Sequence, residues 1–144
     1  MSARILVVDD EVDMLSLIRL ILTEKTNYEI ITTNNPLEVS NLVNEKKFDV
    51  IITDLKMPIM DGLDVVDAIR KLDALVPIII ITAYGSVESA EEAVKKGAFD
   101  YITKPFRQEH LLISITKALE WYALKKDYLE LREKLLKIEE GQKT

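Results

Sequence analysis

Pro77-Ile78-Ile79-Ile80-Ile81 sets four isoleucines in a row behind a proline, with no polar residue among them. A strand with one wet face alternates apolar and polar residues. A strand that is apolar throughout is buried on both faces, as in a parallel sheet covered by helices. Upstream lie three more short β-rich runs, Asp49-Val50-Ile51-Ile52-Thr53, Tyr28-Glu29-Ile30-Ile31 and Ile5-Leu6-Val7-Val8, and downstream residues 99–102 make a fifth. Between them apolar residues recur at helical spacing: Met14, Leu15, Ile18, Ile21 and Leu22; then Leu37, Val39, Leu42 and Val43 behind Pro36; then Leu63, Val66 and Ile69 behind Asp61-Gly62. Five strand-helix units in series predict an α/β fold, a three-layer sandwich of five parallel strands with helices on both faces.

The fourth helix is predicted to start near Ser86. Glu88, Glu91 and Glu92 lie towards its N-terminus, Lys95 and Lys96 fall in its last turn and Gly97 just beyond. That order suits the helix dipole and a glycine C-cap. Its apolar set, Val87, Ala90, Ala93 and Val94, is thin, which marks it as the least firmly held helix and a candidate moving part.

Composition narrows the function classes. The 144 residues suffice for one domain with a real core, and at 48% hydrophobic and 31% charged the chain is globular. A net charge of −6 argues against a nucleic-acid surface, which needs clustered cations. Without cysteine there are neither disulfides nor thiolate metal sites, and a reducing, cytoplasmic setting is expected. Residues 4–9 are too short and end too acidic for a signal peptide, and no apolar run reaches membrane-spanning length, so a soluble protein is expected.

Ligands of such sheets bind outside the carboxyl ends of the strands. Strand one ends in Asp9-Asp10, strand three in Asp54, strand four in Thr82, and Lys104 follows strand five. Three carboxylates brought together repel unless a cation neutralises them, and hard oxygen donors without His or Cys point to Mg²⁺. A carboxylate beside such a cation can attack a phosphoryl donor and become an aspartyl phosphate. Lys104 can clamp the developing charge and the Thr82 hydroxyl can bond the attached group.

These residues resemble the signature of response-regulator receivers. The resemblance rests on Val7-Val8-Asp9-Asp10-Glu11, Asp54-Leu55-Lys56-Met57-Pro58 with Asp61-Gly62, Thr82-Ala83 and Lys104-Pro105-Phe106, in order through about the first 120 residues. It implies a flavodoxin-like sheet of order 2-1-3-4-5 and a cis Lys104–Pro105 bond. It implies Asp54 as phosphoacceptor, Lys104 as phosphate-binding amine and Thr82 as switch hydroxyl, with Tyr101 as the aromatic that changes rotamer with it. The implied metal ligands are Asp9, Asp10, Asp54 and the Lys56 backbone carbonyl, Asp10 being more direct than Asp9. A sensor histidine kinase is the implied partner, and the chain is a phosphoacceptor rather than an enzyme. Thr82-Ala83-Tyr84-Gly85-Ser86-Val87-Glu88 and Lys96-Gly97-Ala98-Phe99-Asp100-Tyr101 further resemble the receivers of NtrC-like activators. In those, a helical linker leads to an ATPase that acts on sigma-54 polymerase.

Other readings stand beside these. Asp9-Asp10 would also cap the first helix, Thr82 would also serve as an ordinary strand residue, and Tyr101 as core. His110, beside Glu109 near a helix start, reads as a solvated or capping residue, and the four glycines form no nucleotide loop. A phosphorelay carrier without output and an aspartate-nucleophile phosphatase of the haloacid-dehalogenase type are the rival functions. The phosphatase pattern, Asp-x-Asp after strand one, is absent.

The last helix is predicted to outrun the receiver, with Leu112, Ile115 and Leu119 packing on the sheet. Residues 1–120 are thus the receiver and residues 121–144 a helical linker leading to an output domain. Trp121, Leu124, Tyr128, Leu131, Leu135 and Ile138 step by 3, 4, 3, 4, 3, a coiled-coil seam. With Trp121, Tyr128 and Leu135 at a, the g and e′ partners of a parallel homodimer are Glu120 with Lys125, Asp127 with Arg132, and Lys134 with Glu139, all opposite in sign. An amphipathic helix folded back on its own domain is the alternative.

Overall fold

The computed structural model describes residues 2–83 and 85–142. Tyr84 of the NtrC-like stretch and Lys143 and Thr144 of the linker lie outside the described residues, as does Met1. Five strands, β1 (Arg4–Val8), β2 (Glu29–Thr33), β3 (Val50–Thr53), β4 (Ile78–Thr82) and β5 (Asp100–Thr103), form one parallel sheet in the order β2-β1-β3-β4-β5. The helices are α1 (Val12–Lys25), α2 (Val39–Glu45), α3 (Gly62–Leu72), α4 (Val87–Lys95) and α5 (Gln108–Gln142). The expected sheet order and layering are therefore present.

The isoleucine run has its expected place at β4, where every residue is buried. Alternation along each strand feeds two cores. Ile5, Val7, Val50, Ile52, Ile79 and Ile81 meet Leu15, Ile18 and Leu22 of α1 and Leu111, Ile115 and Ala118 of α5. Leu6, Val8, Ile51, Ile78 and Ile80 meet Val39 of α2, Val65, Val66 and Ile69 of α3 and Ala93 of α4. Helix starts follow local chemistry. The Asp61 carboxylate accepts from the Asp64 N–H at 3.0 Å to begin α3. Behind Pro36 the chain first makes a 3-10 turn, Pro36–Glu38, started by Asn35, whose side chain accepts from the Leu37 N–H, and only then α2.

α4 begins at Ser86, which exchanges capping bonds with Ser89. It ends in a Schellman pattern: Gly97 N–H donates to Val94 and Ala98 N–H to Ala93, with Gly97 at φ 100°. Among its residues only Ala93 is fully buried, while Val87 and Val94 are largely exposed. Polar ties supply the rest. Lys96 Nζ bonds Asp67 of α3 at 2.9 Å, Arg70 donates to the Gly97 carbonyl at 2.9 Å, and Ser89 Oγ meets Tyr101 Oη at 2.9 Å.

α5 runs unbroken from the domain into the predicted seam. Its buried stripe is Leu111, Ser114, Ile115, Ala118 and Tyr122, with the expected Leu112 and Leu119 at the flank. Tyr122 roots the helix: its ring lies beneath the Lys126 ammonium at 4.2 Å, and burial, aided by Asp73 and Asp49, pushes its hydroxyl pKa up to about 12. The helix does not fold back, and Trp121, Leu124, Tyr128, Leu131, Leu135 and Ile138 all stay exposed. Among the described residues no helix is long and apolar enough to cross a membrane.

Candidate functional site

Three of the proposed side chains stand one residue beyond a strand end, each held by a backbone bond that continues the ladder. Asp9 N–H donates to Thr33 of β2, Asp54 N–H to Val8 of β1, and Lys104 N–H to Thr82 of β4. The sheet thereby delivers Asp9, Asp54 and Lys104 to one edge. Lys104 Nζ lies 3.1 Å from Asp9 Oδ2 and 3.4 Å from Asp54 Oδ2. Both carboxylates are buried, and Thr82, the last residue of β4, is wholly so.

The remaining oxygens of the pair are also engaged. Asp9 Oδ1 accepts from the Glu11 N–H at 2.9 Å, and Asp54 Oδ1 from the Leu55 N–H at 2.7 Å. Burial pushes the Asp9 carboxyl above the usual carboxylate range, with Asp54 repulsion adding to it, despite the opposing Glu11 N–H and Lys104 ammonium. For Lys104, burial works against its charge. Attraction to Asp9 and the bond to it, reinforced by Asp54, outweigh that and lift its pKa above the lysine norm.

The backbone after Asp54 is folded tightly over the site. Gly62 N–H donates to the Leu55 carbonyl at 2.7 Å, and a Cβ on Gly62 would strike the Asp54 carbonyl oxygen. Asp61-Gly62 is thus explained twice: the aspartate caps α3 and the glycine lets α3 start against the acidic residue's own backbone.

A hard divalent cation fits the donor set. Carboxylate oxygens of Asp9, Glu11 and Asp54 lie within 4.8 Å of one another, and no His or Cys competes. Glu11 is the residue that sequence reasoning left without a role. It stands in Val7-Val8-Asp9-Asp10-Glu11, but only the turn after β1 shows that its side chain swings back towards Asp54. Asp10 is not in that close trio; half-buried, it lines a shallow cleft with Glu11, Lys56, Met57 and Pro58. Lys56 is exposed and His110 is exposed. Tyr101 is half-buried, with its hydroxyl on Ser89 rather than in the acidic site. The Lys104–Pro105 bond is cis.

Residues 5–116 match the response regulator receiver domain. The chain is 36% identical over 115 residues to the transcriptional regulatory protein ZraR of Klebsiella oxytoca, covering 80% of this chain and 26% of that protein. Among solved structures it resembles NtrX from Brucella abortus in complex with ADP, at 33% identity and a TM-score of 0.84, over 91% of this chain and 30% of that one. It also resembles the beryllofluoride-activated NtrC4 receiver domain dimer, at 39% identity and a TM-score of 0.78, over 83% and 98%. The chain spans about a quarter of the length of the curated relatives it matches. With its sheet order, its acidic edge and these relatives of the NtrC type, the chain belongs to the response regulator receiver domain family.

Proposed function

We propose that the chain receives a phosphoryl group on Asp54 from the phosphohistidine of a partner kinase. The observation that carries this reading is the Lys104 ammonium set between the Asp9 and Asp54 carboxylates at a buried strand edge. Asp54 Oδ2, the oxygen nearest Lys104, attacks phosphorus; the new O–P bond forms as the N–P bond breaks, and the imidazole nitrogen keeps the electron pair. Lys104 then exchanges its carboxylate partner for the phosphoryl oxygens and holds their charge. Asp9, Asp10, Asp54 and the Lys56 carbonyl are the proposed Mg²⁺ ligands, with Glu11 beside them. When bound, Mg²⁺ supplies positive charge for the transferred group and relieves the repulsion among the carboxylates.

The attached group carries about −1.5 to −2 charges at neutral pH and draws the Thr82 hydroxyl towards it. Tyr101 follows, leaving Ser89 and releasing the N-terminal half of α4. The α4–β5–α5 surface is thereby switched. Residues 121–144 act as a helical linker, and the seam from Trp121 to Ile138 pairs two copies in parallel. The dimeric state of the NtrC4 receiver and the ADP held by NtrX support a dimeric receiver joined to an ATPase output domain, serving sigma-54-dependent transcription.

Acetyl phosphate with Mg²⁺ tests the central step. Intact-protein mass spectrometry is expected to show one added phosphoryl group, and Asp54→Asn, which keeps the shape and removes the nucleophile, is expected to show none. Undiminished labelling of that variant would sink the assignment.

A further inference from the structure

The seam's first residue is already in use. Trp121 packs on Phe99, with ring centroids 5.8 Å apart and planes tilted by 53°. It is 39% exposed, whereas Leu124, Tyr128, Leu131, Leu135 and Ile138 are 53–70% exposed. The reason is rotational. Tyr122 is locked into the body, and its chain neighbour is turned by about 100° around the helix. That turn carries Trp121 to the flank, between the buried stripe and the seam.

Phe99 is not a passive neighbour. It follows the Gly97 turn that ends α4, and Arg70 grips the Gly97 carbonyl. Its own N–H donates to the Ile78 carbonyl at 2.7 Å, at the entrance to β5. The ring that receives Trp121 is therefore mounted on the junction between α4 and β5. In a parallel seam the first a layer would have to accept the same indole from each copy, and bulky side chains there already fit poorly.

We propose that Phe99 is an autoinhibitory seat for Trp121: it holds the indole against its own domain and out of the first interhelical layer. Self-association is then restrained until the junction between α4 and β5 shifts and the indole is given up. This inference rests on the parallel-dimer reading of the seam.

Sedimentation equilibrium and fluorescence of the full 144-residue chain test it, with Trp121 as the only tryptophan. Phe99→Leu removes the ring partner while keeping an apolar side chain. It is expected to tighten dimerisation at least about fivefold, since two aromatic contacts are released per dimer. At concentrations where the chain is monomeric, its tryptophan emission is expected to shift to the red. Trp121→Leu places a compact residue at a and is expected to dimerise at least as tightly as the unaltered chain. In that background Phe99→Leu is expected to add nothing, a non-additivity that mere loss of packing would not produce. If the unaltered chain dimerises and Phe99→Leu leaves its affinity unchanged or weaker, the seat is wrong and the seam stands. Monomers throughout, up to hundreds of micromolar, would overturn both.

Discussion

Lys104 bridges two acidic side chains, and that arrangement ranks the proposed metal ligands. Asp9 has one oxygen on the Glu11 N–H and the other on Lys104, so it is spoken for before any cation arrives. Asp10 carries no such pair of bonds and borders the open cleft with Lys56. Calorimetric titration with Mg²⁺ is expected to show Asp9→Ala weakened by roughly tenfold, as for an outer-shell partner, and Asp10→Ala weakened more. Equal losses, or a larger loss for Glu11→Gln than for Asp10→Ala, would reverse the ranking in favour of the trio that lies closest together. Saturating Mg²⁺ at ten times its Kd is expected to stabilise the fold by about 1.4 kcal/mol, visible as a raised Tm that Asp10→Ala abolishes. Gly62 gives a second residue-scale outcome. Its missing Cβ is what admits the Asp54 carbonyl, so Gly62→Ala is expected to cost about 1–3 kcal/mol and roughly 3–10 °C of Tm. Asp9, Asp54 and Lys104 were legible from their places at strand ends, because a parallel sheet gathers those ends at one edge. Glu11 was not, because the direction of a side chain in a turn depends on backbone angles that composition does not reveal.

At the scale of elements, β4 was legible from four isoleucines, and α4 from its charge order and Gly97. The stripe of α5 was read in part: Ile115 is buried and Leu112 and Leu119 pack at its flank as expected, but Leu111, Ala118 and Tyr122 at its centre were missed. In a helix of 35 residues with apolar side chains on most of its circumference, the period alone does not say which face meets the sheet. The 3-10 turn before α2 was likewise hidden, since Pro36 permits either helix type at its first position. α4 confirms the thinness read from its sequence, and its stability follows from that. With one buried alanine and a serine capping box, its amides are expected to exchange with solvent faster than those of α3, which buries Val65, Val66 and Ile69. Ser86→Ala removes a cap worth about 1 kcal/mol, and α4 exchange is expected to speed up about fivefold while the core strands stay protected. Hydrogen exchange followed by mass spectrometry reads both effects. Protection of α4 equal to that of α3 would rule out the helix as the yielding part.

Over the whole molecule, the buried acidic edge and the exposed seam lie on opposite sides of one question, namely how the proposed charge at Asp54 would become a change in assembly. The domain supplies a rigid root for α5 at Tyr122, and beyond it the helix presents Leu124, Tyr128, Leu131, Leu135 and Ile138 to solvent. Such a stripe on a projecting helix is unstable against pairing, because burial is proportional to the apolar area removed from water. Charges then choose the orientation. In a parallel pair Glu120 meets Lys125, Asp127 meets Arg132 and Lys134 meets Glu139; each exposed pair adds only ~0.2–1 kcal/mol, so the apolar layers must supply the affinity. Truncation before Trp121 removes the seam and leaves the buried residues Leu111 to Ala118 in place. It also removes Tyr122, so circular dichroism and a thermal melt must first show the shortened domain folded. A version retaining Tyr122 with Leu124→Asp and Leu131→Asp serves as the matched control. Sedimentation up to hundreds of micromolar is expected to show the full chain dimerising and both altered forms staying monomeric. Raising salt is expected to weaken the dimer only slightly, as befits a seam whose charges select orientation. A full chain that sediments as a monomer would leave the helix as a bare linker and the receiver as a solitary switch.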